Sequence, residues 1–337
     1  MIRKSNRSWV LGAFAFLFIL MLGFPQPLTA ADPSTHAAYR LKWLFNASVI
    51  GDIYADAHQY FKNAGLDVEV KEGGPERDAI RELELGYAQF GIASADQVIR
   101  AMAKGSPVVV IAQLFQINPL QWIYRADDLS ITRIEDLKGK VVGITFGGND
   151  ETIMRTLMAK GGITEKDIEI FSVRYDYTPF YQKKVDVWPV YRNSQAPILE
   201  KKLGEAGEKT AFFNPAAYGV KFVANSVVTS EKMMKEQPDA VKRFTRALLE
   251  AWEKALDPDN QETALNTLKQ FDKDTPPDIM EQQFVITRSL IKPFEDTRIG
   301  TIDVDGWKMT ESIMLQQNQI SAPVHVEKVL FDPFEQR

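Results

Sequence analysis

The stretch KWLFNASVIGDIYADAHQYFKNAGLDVEV, residues 42 to 70, decides the fold. It opens as the end of a strand and turns through Asn46, Ala47 and Ser48. Ile53, Tyr54, Ala57, Tyr60, Phe61 and Ala64 then recur at helical intervals until Gly65 stops them. LDVEV follows with the apolar–polar alternation of a half-buried strand. Strand, helix and strand in that order make a unit of an open α/β sheet, where ligands collect at the carboxyl ends of strands. Trp43, Phe45 and Asn46, two aromatic rings and an amide, stand at that end and are candidate ligand contacts.

The same rhythm continues outward. PERDAIRELELG reads as a helix with Pro75 early, YAQFGIA as a strand, and SADQVIRAMAKG as a helix opened by a Ser94/Gln97 capping box. PVVVIAQLF is a buried strand that places Gln113 near its end. After a break come the strand KVVGITF, the helix from Asp150 to Lys160, the strands EIFSVRY and VDVWPV, the helix NSQAPILEKKL and the strand KTAFF. Two parallel-type sheets with helices on both faces are expected. From Glu231 onward the pattern is mostly amphipathic helix, with Trp252 and Trp307 as packing residues. WIYRADD (122–128) and GVKFVANSVVTS (219–230) are the expected crossings between two lobes. They divide the chain into lobe 1, residues 38–124 with 226–337, and lobe 2, residues 125–225. A cleft between lobes is where small-molecule pockets concentrate.

The chain has 337 residues, 45% hydrophobic and 25% charged, enough for two lobes with a sizeable core. Residues 1–31 read as a secretory signal peptide. Arg3, Lys4 and Arg7 precede a 16-residue apolar run closed by Pro25, with Thr29 and Ala31 set for cleavage. Without them, 37 basic residues face 45 acidic ones, a formal −8 that disfavours nucleic acid as a partner. The absence of cysteine excludes disulfides, a thiol nucleophile and thiolate metal sites. The three histidines have neither triad nor metal-ligand spacing, and GGND lacks the Lys and Ser/Thr of a P-loop, so no catalytic residue, metal or cofactor is expected.

The opening WLFNASVIGDIYADAHQYFKNAGLDVEV, the block ELGYAQFGIASADQVIRAMAKGSPVVVIAQLFQ and the block IEDLKGKVVGITFGGNDETIMRTLMAKGGI together resemble a known family. It is that of ABC-transporter solute-binding proteins for thiamine-pyrimidine precursors, with relatives for sulfonates, taurine and nitrate. The resemblance runs in order along nearly all of the mature chain. It implies a type II periplasmic-binding-protein fold: a monomer in the periplasm that captures a small solute and delivers it to an inner-membrane ABC permease. Flavin and anion ligands are alternatives on the same scaffold. Eukaryotic relatives that make the thiamine pyrimidine use a cysteine-rich motif that this chain lacks; an exported enzyme of that kind is the remaining alternative.

The candidate ligand contacts follow from residue types at the cleft rim. Seven aromatics crowd 171–191, among them Tyr175, Trp188 and Tyr191, and Trp188 falls where a strand meets a helix. Trp43 and Trp188 are expected to sandwich a flat ring. FGGNDE (146–151) leads into a helix N-terminus, normally an anion site. Here Asp150 and Glu151 already bring negative charge there, so with Gly148 and Asn149 they suit a ligand that donates N–H groups. Ser94, Gln113 and Asp186 complete the expected set, after strands or at helix starts.

Overall fold

The computed structural model describes residues 35–74, 77–174, 176–332 and 334. The expected signal peptide, Pro75 and Tyr175 lie outside the described residues. Two five-stranded sheets organise the chain. The first contains β1 (Thr35–Arg40), β2 (Leu66–Lys71), β3 (Phe90–Ala93), β4 (Val108–Gln113) and β10 (Ser226–Ser230), in the order β2-β1-β3-β10-β4. The second contains β5 (Leu120–Arg125), β6 (Val141–Ile144), β7 (Glu169–Ser172), β8 (Val187–Tyr191) and β9 (Thr210–Phe213), in the order β7-β6-β8-β5-β9.

Both sheets are mixed rather than parallel. β10 runs antiparallel to β3 and β4, and β5 runs antiparallel to β8 and β9. These are the strands that follow the crossings: each enters its sheet from the other lobe and so against the direction set by the local strand–helix units. β5 contains Trp122 and Arg125 and belongs to the second sheet, so the first crossing is the 114–119 segment rather than 122–128. The return crossing lies between the turn Pro215–Tyr218 and β10.

The helices are α1 (Ile50–Ala57), α2 (Tyr60–Asn63), α3 (Ala79–Leu85), α4 (Ala95–Ala103), α5 (Asn149–Lys160), α6 (Thr178–Tyr181) and α7 (Gln195–Glu205). The C-terminal part adds α8 (Glu231–Glu236), α9 (Pro238–Leu256), α10 (Gln261–Leu268), α11 (Pro277–Ile291) and α12 (Val304–Gln316). The helix expected across residues 53–64 is broken between α1 and α2. Gln59 there is left-handed at φ 61°, and His58 stacks on Tyr54 at 3.9 Å and meets Thr267 Oγ1 at 2.9 Å.

α9 packs its apolar face on α1 and β2. Gly51 is required at that contact, because a Cβ there would lie 2.0 Å from the Trp252 ring. Phe244 of α9 stacks between Phe61 and Phe90, at 5.1 and 3.6 Å between ring centres, with Tyr39 edge-on at 5.1 Å. Asp52 is sealed beneath this cluster and accepts hydrogen bonds from Tyr39 Oη at 2.6 Å and Trp252 Nε1 at 3.3 Å.

The C-terminal helices also reach the second lobe on both sides of the cleft. Gln283 of α11 donates to the Ser194 carbonyl at 2.7 Å, Asn193 donates to Thr287 at 3.1 Å, and Lys201 pairs with Asp278 at 2.7 Å. Beyond α12, Gln319 accepts from Thr152 at 2.8 Å and Gln317 bonds Thr156.

Candidate functional site

A cavity of about 460 Å³ lies between the two sheets. Its first wall is built from the chain leaving β1 (Lys42, Trp43, Ser48), the start of α4 (Ser94, Asp96, Gln97, Arg100) and Phe115. Its second wall comes from the β6–α5 loop (Thr145 to Asp150), Val173, Arg174, Tyr177, and the end of β8 with Pro189 and Tyr191. Arg77 and Asp78 stand at one rim, Asn193 in the turn between β8 and α7, and Pro119 and Asn225 at the two crossings.

Polar groups on the first wall are largely organised by one another. The Ser94 hydroxyl donates to Asp96 at 2.6 Å, and Asp96 pairs with Arg100 one helical turn along. Arg100 also donates to Gln319 at 3.1 Å, tying this wall to the cover beyond α12. On the second wall, Asp150 turns back to accept the Thr145 N–H at 2.5 Å. Gly148 makes that turn possible, since a Cβ there would lie 2.4 Å from Asp150 Oδ1. Burial pushes the Asp150 carboxyl up to about 6 despite the bonds it accepts. Tyr191 Oη donates to Asn149 Oδ1 at 3.0 Å, setting an aromatic ring beside the loop.

Trp43, Ser94, Gly148, Asn149, Asp150, Trp188 and Tyr191 all border this cavity. Trp188 does so from within the core. It is 1% exposed and ringed by Tyr177, Phe180 and Phe171 at 5.8, 6.0 and 6.4 Å, so it backs the wall rather than projecting as a jaw.

The remaining expected contacts are engaged elsewhere and do not border the cavity. Phe45 packs edge-on against Phe271 at 5.3 Å, and Asn46 accepts from Ser48 N at 2.8 Å to cap the turn that follows. Gln113 donates to the Phe115 carbonyl at 3.1 Å and accepts from Asp303 N and Trp307 Nε1 at 3.1 and 3.2 Å, holding the start of α12. Asp186 accepts the Val141 N–H at 2.8 Å. Glu151 bends away to Gly147 N at 2.7 Å and Arg155 at 2.9 Å. In each case a nearby backbone N–H or side chain satisfies the group, as buried polar atoms require.

Lys42, Arg77, Arg100 and Asn225 border the cavity and were not singled out by the sequence. Strict strand alternation would send Lys42 and Trp43 to opposite faces. The chain has instead left β1 and bends from residue 42 to 46, which lets both face the cleft. The available signal was the end of the strand itself.

Two mixed α/β sheets with a walled cleft between them are the type II periplasmic-binding-protein fold. The chain belongs to the NMT1/THI5-like family, whose model matches residues 46–261. It is 25% identical to the riboflavin-binding protein RibY of Chloroflexus aurantiacus over 354 aligned residues, 97% of each chain. It is also 25% identical over 319 residues to the formylaminopyrimidine-binding protein of Halalkalibacterium halodurans, covering 92% of this chain and 94% of that one. The solved alkanesulfonate-binding protein SsuA of Xanthomonas axonopodis pv. citri shares the fold. The TM-score is 0.68 at 16% identity, over 90% of this chain and all of the other.

Proposed function

We propose that this chain is the periplasmic receptor of an ABC importer, and that its cleft captures a small planar nitrogen heterocycle of the thiamine-pyrimidine-precursor class for delivery to the inner-membrane permease. The observation that carries the reading is one cavity bordered by Trp43, Tyr177 and Tyr191 together with the buried carboxyl of Asp150. Aromatic faces take a flat ring, and a carboxylate takes its N–H edge. The relative that binds formylaminopyrimidine supports this choice.

The same relationships support a second reading, a flavin or a sulfonate, and Arg77 and Arg174 at the cavity border would suit an anionic group. Among the described residues no group of three or more metal-ligating side chains is present, and no helix is long and apolar enough to cross a membrane. In this reading residues 1–31 are removed on export, leaving an N-terminus near Asp32.

A thermal-shift and calorimetric screen of the mature protein decides among these ligands. It should include 4-amino-5-hydroxymethyl-2-methylpyrimidine, its formylamino analogue, riboflavin, taurine and nitrate. A ligand at 100 times its Kd stabilises by about 2.7 kcal/mol. The expected result is stabilisation by the pyrimidines, with the ligand recovered chemically unchanged. Tight binding of taurine or nitrate with no response to a pyrimidine would overturn the heterocycle reading, and conversion of the ligand would identify an enzyme.

A further inference from the structure

Lys42 brings to the cleft a charge that its neighbours do not account for, beside the unpartnered buried Oδ1 atoms of Asn193 and Asn225. It is partly buried on the cavity wall, and its ammonium makes no hydrogen bond or ion pair with any described residue. The charges that reach it are Asp96, Arg100 and Asp150. Asp96 is already engaged by Arg100 and Ser94, whereas Asp150 accepts from Thr145 and its own backbone and forms no ion pair among the described residues. A lysine ammonium offers donors and no acceptor. Partial burial already lowers its pKa, and a ligand that closed the cavity over it without offering a partner would strip its remaining water at a cost. A ligand that supplies an acceptor removes that penalty.

The surrounding charges select the kind of acceptor. An oxyanion seated on Lys42 would also face Asp150 and be repelled by it, while the charge of Asp96 is offset by Arg100. A neutral edge with an acceptor beside a donor has no such conflict. We propose that Lys42 is a specificity-determining residue of the cleft, donating to a ring nitrogen or carbonyl that sits beside the N–H group taken by Asp150. The two side chains together read an amidine or cyclic-amide edge. This rests on the heterocycle reading above and adds to it the requirement for an acceptor.

The test is calorimetric titration of the mature protein and of Lys42→Met with four probes. These are 4-amino-5-hydroxymethyl-2-methylpyrimidine, its pyridine analogue in which the ring nitrogen beside the amine is a C–H, taurine and inorganic phosphate. The unmodified protein should prefer the pyrimidine to the pyridine about ten- to hundredfold, the worth of one hydrogen bond to a charged group. Lys42→Met should erase that preference by weakening the pyrimidine alone. Equal weakening of both probes, or an intact preference, overturns the proposal, because either outcome makes Lys42 a packing residue. Should Lys42→Met fail to fold, Lys42→Gln, which retains an N–H donor without charge, should keep a reduced preference. If taurine or phosphate binds and no pyrimidine does, the heterocycle reading has failed. Loss of that anion binding in Lys42→Met would then make the lysine an anion contact and overturn the edge reading separately. If no probe binds, both readings fall.

Discussion

Trp43 and Trp188 read alike in the sequence, each expected at the carboxyl end of a strand in its own half, yet Trp188 is the second residue of β8 and the two have opposite fates. Trp43 follows β1, where the chain has left the sheet, and stands partly exposed on the cleft wall. Trp188 lies inside β8, paired to β5 and in the same sheet as β6, and is sealed among Phe171, Tyr177 and Phe180. At residue 43 the chain has passed the end of β1 and bends, so the ring is not assigned a face by strand alternation; a ring within the ladder is committed to a face by the register. The same contrast separates two acids. Asp52 is enclosed in the first lobe's core under Tyr39 and Trp252, whereas Asp150 is buried at the cleft itself.

The sharpest way to break the tryptophan comparison is to remove each ring. Trp188→Ala should destabilise the fold by about 3–5 kcal/mol, the usual cost of emptying a large aromatic site in a core, read as a shifted urea midpoint. A loss below about 1 kcal/mol accompanied by a large drop in affinity would restore Trp188 as a stacking jaw.

The acids sharpen it through pH. Burial raises Asp52 to about 7 and Asp150 to about 6 from an ordinary 3.8, so both hold their proton more tightly folded than unfolded. Their contribution to stability is therefore greatest near pH 4 and is lost as pH rises through about 6 and then about 7. Asp52→Asn should remove most of that slope, on the order of 2–4 kcal/mol across the window, in denaturation curves recorded from pH 4 to 8. Asp150→Asn should remove the smaller, more acidic part. An unchanged slope in Asp52→Asn would show that the core site does not titrate.

Trp43→Ala has the smallest expected effect on the whole molecule and the most local one. It should weaken a planar ligand by about 1–3 kcal/mol, roughly ten- to hundredfold in Kd, while the melting temperature of the unliganded protein moves little. A large loss of stability instead would place Trp43 with Trp188 as a core residue and dissolve the contrast.

The strand–helix rhythm was legible because burial of one face of a strand or helix imposes a period on the chain itself. The loop FGGNDE was legible for the same local reason: glycine and an acid before an apolar helix mark its start, and Gly148, Asn149 and Asp150 do border the cavity. Gln113 was not separable from them. Its amide partners, Asp303 and Trp307, lie far along the chain, and nothing near Gln113 announces them. Glu151 lies off the cavity for a subtler reason, since Arg155 one turn along offers it an ion pair that a helix start invites as readily as a ligand would.

By itself the sequence determined the alternation of elements, the two α/β halves, the helical C-terminal part and the family, because each depends on neighbours within a few turns or on order along the chain. Only the tertiary structure decided that β5 and β10 enter their sheets antiparallel, that Trp188 is enclosed while Lys42 faces the cleft, and that α11 and α12 lead to contacts with the second lobe. Those outcomes depend on register and on contacts between segments distant in sequence, and a side chain's periodicity carries no record of which distant partner will cover it.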